Sequence, residues 1–252
     1  MIVLKNLSKK YRSAAVLDGV SASLPEGKIT AFIGGNGAGK STALNIISRL
    51  IPATSGTVEI DGVPLGSWKS RELAKRLAIL SQNPCTPARL TVEELVEFGR
   101  FPHCNGRPGT EDRRMVEFAM ECAGISDLRN RFLDELSGGQ RQIAHIAMAI
   151  AQDTKYILLD EPLNNLDMNR AAKVMKLVRT LARDRGKSVV IVIHDINFVS
   201  FYADFVAAFK NGKMLYCGPT DGAMSPLVLR DVYDMEIAVE ERGGKKLCVY
   251  YE

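Results

Sequence analysis

Nine consecutive residues, Gly34-Gly35-Asn36-Gly37-Ala38-Gly39-Lys40-Ser41-Thr42, fit the pattern G-x-x-x-x-G-K-[ST]. Glycines let such a loop wrap a polyphosphate closely with its N–H groups turned inward, and the helix that follows adds the positive end of its dipole. Lys40 is placed to reach β- and γ-phosphates, and the Ser41 hydroxyl to ligate Mg²⁺. A metal on a polyphosphate also needs a carboxylate. Ile157-Leu158-Leu159-Asp160-Glu161 supplies one where a buried apolar run ends, the place at which open α/β sheets gather their ligands. Asp160 would hold the Mg²⁺, directly or through water, and Glu161 would act as general base on an attacking water. A third run, Leu136-Ser137-Gly138-Gly139-Gln140, reads as an N-cap serine and two glycines opening a helix, hence a second anion-binding terminus. One nucleotide does not need two cradles on one chain, unless the second serves a nucleotide held by another molecule.

Such residues work only if regular elements hold them. Lys28 to Ile33 reads as a buried strand running into the glycine-rich loop, and Ser41 to Leu50 as a helix that stops before Pro52. Tyr156 to Leu159 and Val189 to Ile193 are apolar runs of the kind that form central parallel strands, with a crossover helix from about Asn169 to Asp184. Ile2-Val3-Leu4 and Ala15-Val16-Leu17 suggest an antiparallel sheet at the start of the chain. Gly56 to Gly62 looks like a strand closing on an Asp-Gly turn. Between Thr91 and Ala123 the pattern is helical, read as two helices joined by a loop, with Leu95, Phe98, Met115, Phe118 and Cys122 as candidate core positions. Gln140 to Ala151 is a further helix. Met148, Ile146, Met175 and Leu177 read as core packing.

Composition sets the outer bounds. The chain has 252 residues, 46% hydrophobic and 25% charged, enough for one large α/β domain and far too apolar for disorder. No window of about 18 apolar residues is present, so no spanning helix is expected, and the opening residues lack the features of a secretory signal. Lys and Arg number 33 against 29 Asp and Glu, a net charge of +4 with the signs interspersed, which argues against a nucleic-acid groove. Five cysteines with no Cys-x-x-Cys pair fit reduced thiols better than a disulfide framework or zinc site.

Taken together, these runs resemble the ATP-binding subunits of ABC transporters over nearly the whole chain. Gly34 to Thr42 is similar to the family's Walker A loop, Ile157 to Glu161 to its Walker B strand with the catalytic glutamate, and Leu136 to Gln140 to its LSGGQ signature. Gln82, within Leu80-Ser81-Gln82-Asn83-Pro84, stands where the family has its Q-loop glutamine. His194 matches the switch histidine, Asn165-Leu166-Asp167 the D-loop, and Tyr11 the aromatic that stacks on adenine. The resemblance implies an α/β P-loop NTPase of ABC type, with a mixed sheet core, an antiparallel β subdomain and a helical subdomain insertion. It implies a single domain over 1–252, with 1–84 and 151–252 as nucleotide-binding core and β subdomain and about 85–150 as the helical subdomain. It also implies two copies that sandwich two ATP molecules, each between the Walker A loop of one chain and Ser137, Gly138, Gly139 and Gln140 of the other. His194 would contact the γ-phosphate, and Gln82 would sense metal and water. Two departures stand out: Gly35 where many members have proline, and Asn164-Asn165 where the D-loop commonly has Ser-Ala.

A finer resemblance is to the subfamily serving iron–siderophore, haem and cobalamin importers, carried by Thr91 to Val96 followed by Phe98-Gly99-Arg100-Phe101-Pro102-His103. It implies a ferric-siderophore importer with separate transmembrane permease subunits, indirectly a substrate-binding protein, no nucleic acid, and a place on the cytoplasmic face of the cell membrane. The competing readings are import of haem or cobalamin, a soluble ABC-type ATPase acting on DNA or ribosomes, and a small-molecule kinase. The stretch between Gln82 and Ser137 is short and without sustained heptads, unlike the coiled-coil insertion of the DNA-acting relatives. A kinase would leave Leu136 to Gln140 without a purpose.

Overall fold

The computed structural model describes residues 1–12, 14–82 and 89–251; Asn83, Pro84 and Cys85 lie outside the described residues. Twelve strands follow the chain as β1 (Ile2–Tyr11), β2 (Ala14–Leu24), β3 (Ile29–Ile33), β4 (Ser55–Ile60), β5 (Val63–Pro64), β6 (Leu77–Leu80), β7 (Tyr156–Asp160), β8 (Ser188–Val192), β9 (Phe205–Lys210), β10 (Lys213–Pro219), β11 (Ala238–Arg242) and β12 (Lys245–Val249) among the described residues. They fall into two compact units: Met1–Trp68 with Ser188–Glu252, and Lys69–Lys187. No helix among the described residues is long and apolar enough to cross a membrane.

The first unit holds an antiparallel sheet in the order β2-β1-β4-β5. Alternation drives it: Leu17, Val20, Ala22 and Leu24 of β2 are buried while the residues between the last three face water. The register pairs Ile2 with both Leu24 and Ile60, so three buried apolar side chains meet across neighbouring strands. The same unit holds a second, mixed arrangement. β3 pairs in parallel with β8 and with β9, and β9 pairs antiparallel with β10. Every residue of β3 and β8 is buried, as an unbroken apolar run in a covered parallel sheet demands. The β9–β10 connection is the two-residue turn Asn211-Gly212, both residues at positive φ, a combination that suits the twist of a hairpin. Gly243-Gly244 close β11 on β12 in the same way.

In the second unit β6 and β7 run parallel, Leu77 opposite Tyr156. Its helices include Val92–Phe98, opened by a capping box between Thr91 and Glu94, and Thr110–Ala123, closed by Gly124 in the left-handed conformation. Gly138–Ala151 and Met168–Arg183 follow. The stretch read as two helices is three, because the short helix Phe101–Cys104 intervenes. Phe98 is not in the core: it is 55% exposed, as is Phe101 at 56%. The cause is Gly99, where an added Cβ would lie 2.2 Å from the Met148 carbonyl oxygen, so the backbone itself takes the place against the helix Gly138–Ala151.

That close approach gives Gly99-Arg100-Phe101-Pro102-His103 a physical meaning. Arg100 is buried; its Nε donates to Asp112 Oδ1 at 2.9 Å and its Nη1 to the Ala151 carbonyl at 2.8 Å. His103 Nε2 lies 3.0 Å from the Gln152 carbonyl. A cation on the last carbonyls of Gly138–Ala151 opposes the negative end of its dipole. Burial alone would raise the Asp112 carboxyl, but the Gly109 amide and the Arg100 guanidinium hold it below the usual carboxylate range. Arg100→Ala is expected to cost about 2 kcal/mol at neutral pH by removing the charged partner of a part-buried carboxylate and the donor to the Ala151 carbonyl. A carboxylate with a lowered folded-state pKa stabilises above the ordinary carboxylate range and loses that contribution as pH falls through its folded value. The gap between wild-type and variant denaturation midpoints should therefore narrow toward acid pH; a gap independent of pH would contradict the pairing.

Candidate functional site

The glycine-rich loop leaves β3 at Gly34, whose φ is +134° and whose hypothetical Cβ would lie 2.1 Å from the Phe209 carbonyl oxygen. Gly39, at φ +104°, would place a Cβ 2.6 Å from Leu17 Cδ2 and 2.7 Å from the Val16 carbonyl oxygen. No other residue fits either position. Gly35 differs: a Cβ there would meet nothing within 4 Å, so its departure from the family's proline leaves the loop's surroundings unchanged. The Asn211-Gly212 turn braces the loop from the side, with the Gly212 N–H donating to the Ala38 carbonyl at 3.1 Å and the Gly212 carbonyl accepting from the Asp18 N–H at 2.9 Å. Tyr233 lies close to the Gly34 amide; burial pushes its hydroxyl up, against the opposing pull of that amide.

Lys40 opens the helix Lys40–Ile47, which has no side-chain cap and no acidic residue in its first turn. Its ammonium is buried and donates to the Gly34 and Gly35 carbonyls at 2.7 and 2.8 Å. An uncapped helix start beside a buried ammonium is an environment for an anion, and the Ser41 hydroxyl one residue on is a donor type that Mg²⁺ accepts beside phosphate oxygens. Asn36 and Gly37 face solvent, and Thr42 is half-buried. His194 is exposed just past β8, held between Ile193 and Asp195; the Asp195 carboxylate accepts from the Asn197 and Phe198 amides and so caps the helix Ile196–Tyr202. Tyr11, at the end of β1, is 48% exposed with Lys9 Nζ 4.9 Å from its ring centre, so it is not a core aromatic.

In the second unit Asp160 ends β7 and is 1% exposed. Glu161 follows at φ +50°, a left-handed backbone that costs a residue with a Cβ. Its Oε2 accepts from Gln82 Nε2 at 2.7 Å and from Asn164 Nδ2 at 2.6 Å. Gln82 and Glu161, far apart in sequence, are thus brought together. Ser137 caps Gly138–Ala151, its Oγ accepting from the Gln140 amide at 3.3 Å while Gln140 Oε1 accepts from the Ser137 amide at 3.0 Å. Gly139 packs where a Cβ would lie 2.8 Å from Arg170 Nη1 and 3.2 Å from the Asn165 carbonyl oxygen. Asp167 caps Met168–Arg183 by accepting from the Arg170 amide at 2.8 Å. The structure adds residues that the motifs did not name: Gly212, Asn164 and Arg170. Asn211-Gly212 is a readable hairpin signal, and Asn164 a readable departure; Arg170 had no signal beyond its spacing from Asp167.

A strand–loop–helix phosphate cradle and an acidic strand end define a P-loop nucleotide-binding protein of α/β class. The sequence matches the family described as ABC transporter over residues 17–164. It is 47% identical over 251 residues to the petrobactin import ATP-binding protein YclP of Bacillus subtilis (strain 168), covering all of both chains. It is 37% identical over 237 residues to the ferric enterobactin transport ATP-binding protein FepC of Escherichia coli (strain K12), covering 93% of this chain and 88% of that protein. Its fold is similar, at a TM-score of 0.79 and 32% identity, to a dimeric post-hydrolysis state of the ATP-binding cassette MJ0796 bound to ADP and Pi, covering 87% of this chain and 99% of that one. The chain belongs to the ABC transporter family. It is an ATP-binding subunit of the family's P-loop fold and an ATP hydrolase.

The cradle's sterics give a direct test. Gly39→Ala forces a side chain into the Val16 carbonyl and should weaken ATP binding at least tenfold, whereas Gly35→Ala should stay within about twofold. Calorimetric titration of ATP into each folded variant measures this; equal affinities would refute the close-packing account.

Proposed function

We propose that this chain is the ATP-hydrolysing subunit of an importer that takes up a ferric siderophore or related iron complex through separate membrane-spanning permease subunits. The observation that carries this reading is the full-length similarity to a petrobactin import ATP-binding protein, with a ferric enterobactin relative beside it. The staple built from Arg100 and His103 supports it, because it gives structural content to the motif that the iron-chelate subfamily shares. The working unit is a pair of these chains held to the cytoplasmic face of the membrane by the permease, which in turn receives cargo from a substrate-binding protein.

The division of labour follows from the residue types. The loop amides of Gly37, Ala38 and Gly39 and the Lys40 ammonium take the β- and γ-phosphates, and Tyr11 offers its exposed ring to adenine. Ser41, Asp160 and Gln82 are the residues that would hold Mg²⁺, which would neutralise charge on the phosphates when bound. Glu161 accepts a proton from water as the water oxygen bonds to the γ-phosphorus; the bond from that phosphorus to the β–γ bridging oxygen breaks, and its electron pair leaves with ADP. His194 orients the γ-phosphate. Ser137, Gly138, Gly139 and Gln140 serve the nucleotide held by the second copy, so that ATP joins the pair and hydrolysis releases it.

Cargo is tested by reconstituting the chain with its permease subunits and substrate-binding protein and measuring ATP hydrolysis with different ferric chelates. Stimulation by a ferric siderophore is expected; stimulation by cobalamin or haem alone would reassign the cargo. Glu161→Gln should keep ATP affinity, accumulate an ATP-bound dimer on a sizing column and lose turnover by about a hundredfold or more. Undiminished hydrolysis in that variant would remove the general-base role. Ser137→Arg should bind ATP as an isolated chain yet neither dimerise nor hydrolyse in the assembled transporter. Normal turnover there would sink the role of Ser137 on the partner's nucleotide.

A further inference from the structure

Asn164 departs from the family's common D-loop serine, and its side chain reaches the residue on which hydrolysis depends. Its Nδ2 donates to Glu161 Oε2 at 2.6 Å, and its backbone N–H donates to the Glu161 carbonyl at 3.2 Å. Both bonds close one four-residue turn, Glu161 to Asn164, with Pro162 in the second position, where its fixed φ suits a turn. Gln142, buried in the helix Gly138–Ala151, donates to the Pro162 carbonyl at 3.4 Å and so ties the turn to the helix that Ser137 caps. Gln82 Nε2 meets the same Glu161 oxygen at 2.7 Å.

We infer that Asn164 is a positioning residue for the hydrolytic step: its amide holds the Glu161 carboxylate in a single orientation toward the water that it deprotonates. The inference rests on the general-base reading of Glu161 and deepens it. A glutamate side chain has three torsions to fix, and a carboxylate that turns away from the water is a base out of reach. Gln82 and Asn164 are not equivalent as donors to its Oε2. Gln82 reaches Glu161 from the end of β6, at a sequence separation of 79, whereas Asn164 does so at a separation of 3, within one turn. The local tether costs little chain entropy and persists when Gln82 turns toward a metal ion. The group must be a neutral donor. An amide or hydroxyl satisfies a carboxylate oxygen without adding charge, while an aspartate at this place would set one carboxylate against another at 2.6 Å.

The test uses the full chain with Mg²⁺ and ATP, following single-turnover hydrolysis and ATP affinity for Asn164→Ala, Asn164→Asp, Asn164→Ser and Glu161→Gln, and the double variant of Glu161→Gln with Asn164→Ala. Melting temperatures verify that each variant folds. Asn164→Ala should lower kcat roughly tenfold, the size of a lost hydrogen bond to a charged group, with KM for ATP unchanged. Asn164→Asp should fall further, and Asn164→Ser, which keeps a donor, should recover to within about threefold of wild type. In the Glu161→Gln background, Asn164→Ala should cause no further loss, because its effect passes through Glu161. If Glu161→Gln is inactive while Asn164→Ala turns over at the wild-type rate, the positioning role is overturned and the general base survives. Full hydrolysis by Glu161→Gln overturns both. A rise in KM with kcat unchanged, or additive losses in the double variant, also overturns the positioning role.

Discussion

The phosphate loop has its shape because other backbones leave it no alternative. Gly34 sits against the Phe209 carbonyl, Gly39 against Val16 and Leu17, and the Asn211-Gly212 turn donates to the Ala38 carbonyl. None of these contacts is a side chain recognising another side chain. Each is a place where a neighbouring backbone, with the Leu17 side chain at Gly39, comes so close that a Cβ is excluded, or where an amide finds its partner in a turn. A loop braced in this way has its backbone shape fixed before any nucleotide arrives, which is the condition for electrostatic binding without reorganisation. The buried β3 and its parallel neighbours β8 and β9 exist, in this sense, to fix the entry point of the loop.

The second unit answers a different requirement: a carboxylate must be presented on strained backbone. Glu161 adopts a left-handed φ at the end of a wholly buried strand, and the cost is borne by a turn with its own hydrogen bond, by Pro162, and by Gln142 from the helix Gly138–Ala151. That helix is secured at both ends. Ser137 and Gln140 close a capping box at its start, and Arg100 and His103 engage the carbonyls at its finish. Strain at Glu161 and rigidity in the supporting helix are two sides of one arrangement.

What was legible in the sequence was whatever is contiguous. The nine-residue loop, the Ser-Gly-Gly helix start, the acidic strand end and the unbroken apolar runs of β3, β7 and β8 each announce themselves within a few residues, because local backbone geometry dictates residue type there. What was not legible depends on partners distant in the chain. Phe98 has the right spacing for a core position on an amphipathic helix, yet Gly99 brings backbone to the Met148 carbonyl and leaves the ring in water. Hydrophobic periodicity cannot register a contact made by a residue with no side chain. Arg100 reads as an ordinary basic residue until Asp112 and Ala151 surround it. Asn211-Gly212 is an evident turn, but nothing in those letters says that it braces Ala38.

Asn164 lies between these cases, and it shows what a departure from a family pattern is worth. Its identity was visible, and its difference from the common serine was visible; its partner was not. An amide NH₂ and a hydroxyl are both neutral donors, so the exchange of serine for asparagine keeps the kind of group that a carboxylate oxygen accepts from. With Glu161 on left-handed backbone, the Asn164 amide meets its Oε2 at 2.6 Å. The next residue, Asn165, serves the other side of the same loop: its own φ is positive, and its carbonyl lies where a Cβ on Gly139 would come within 3.2 Å. The two adjacent asparagines therefore face different neighbours, Asn164 through its amide the carboxylate and Asn165 through its carbonyl the start of the capped helix.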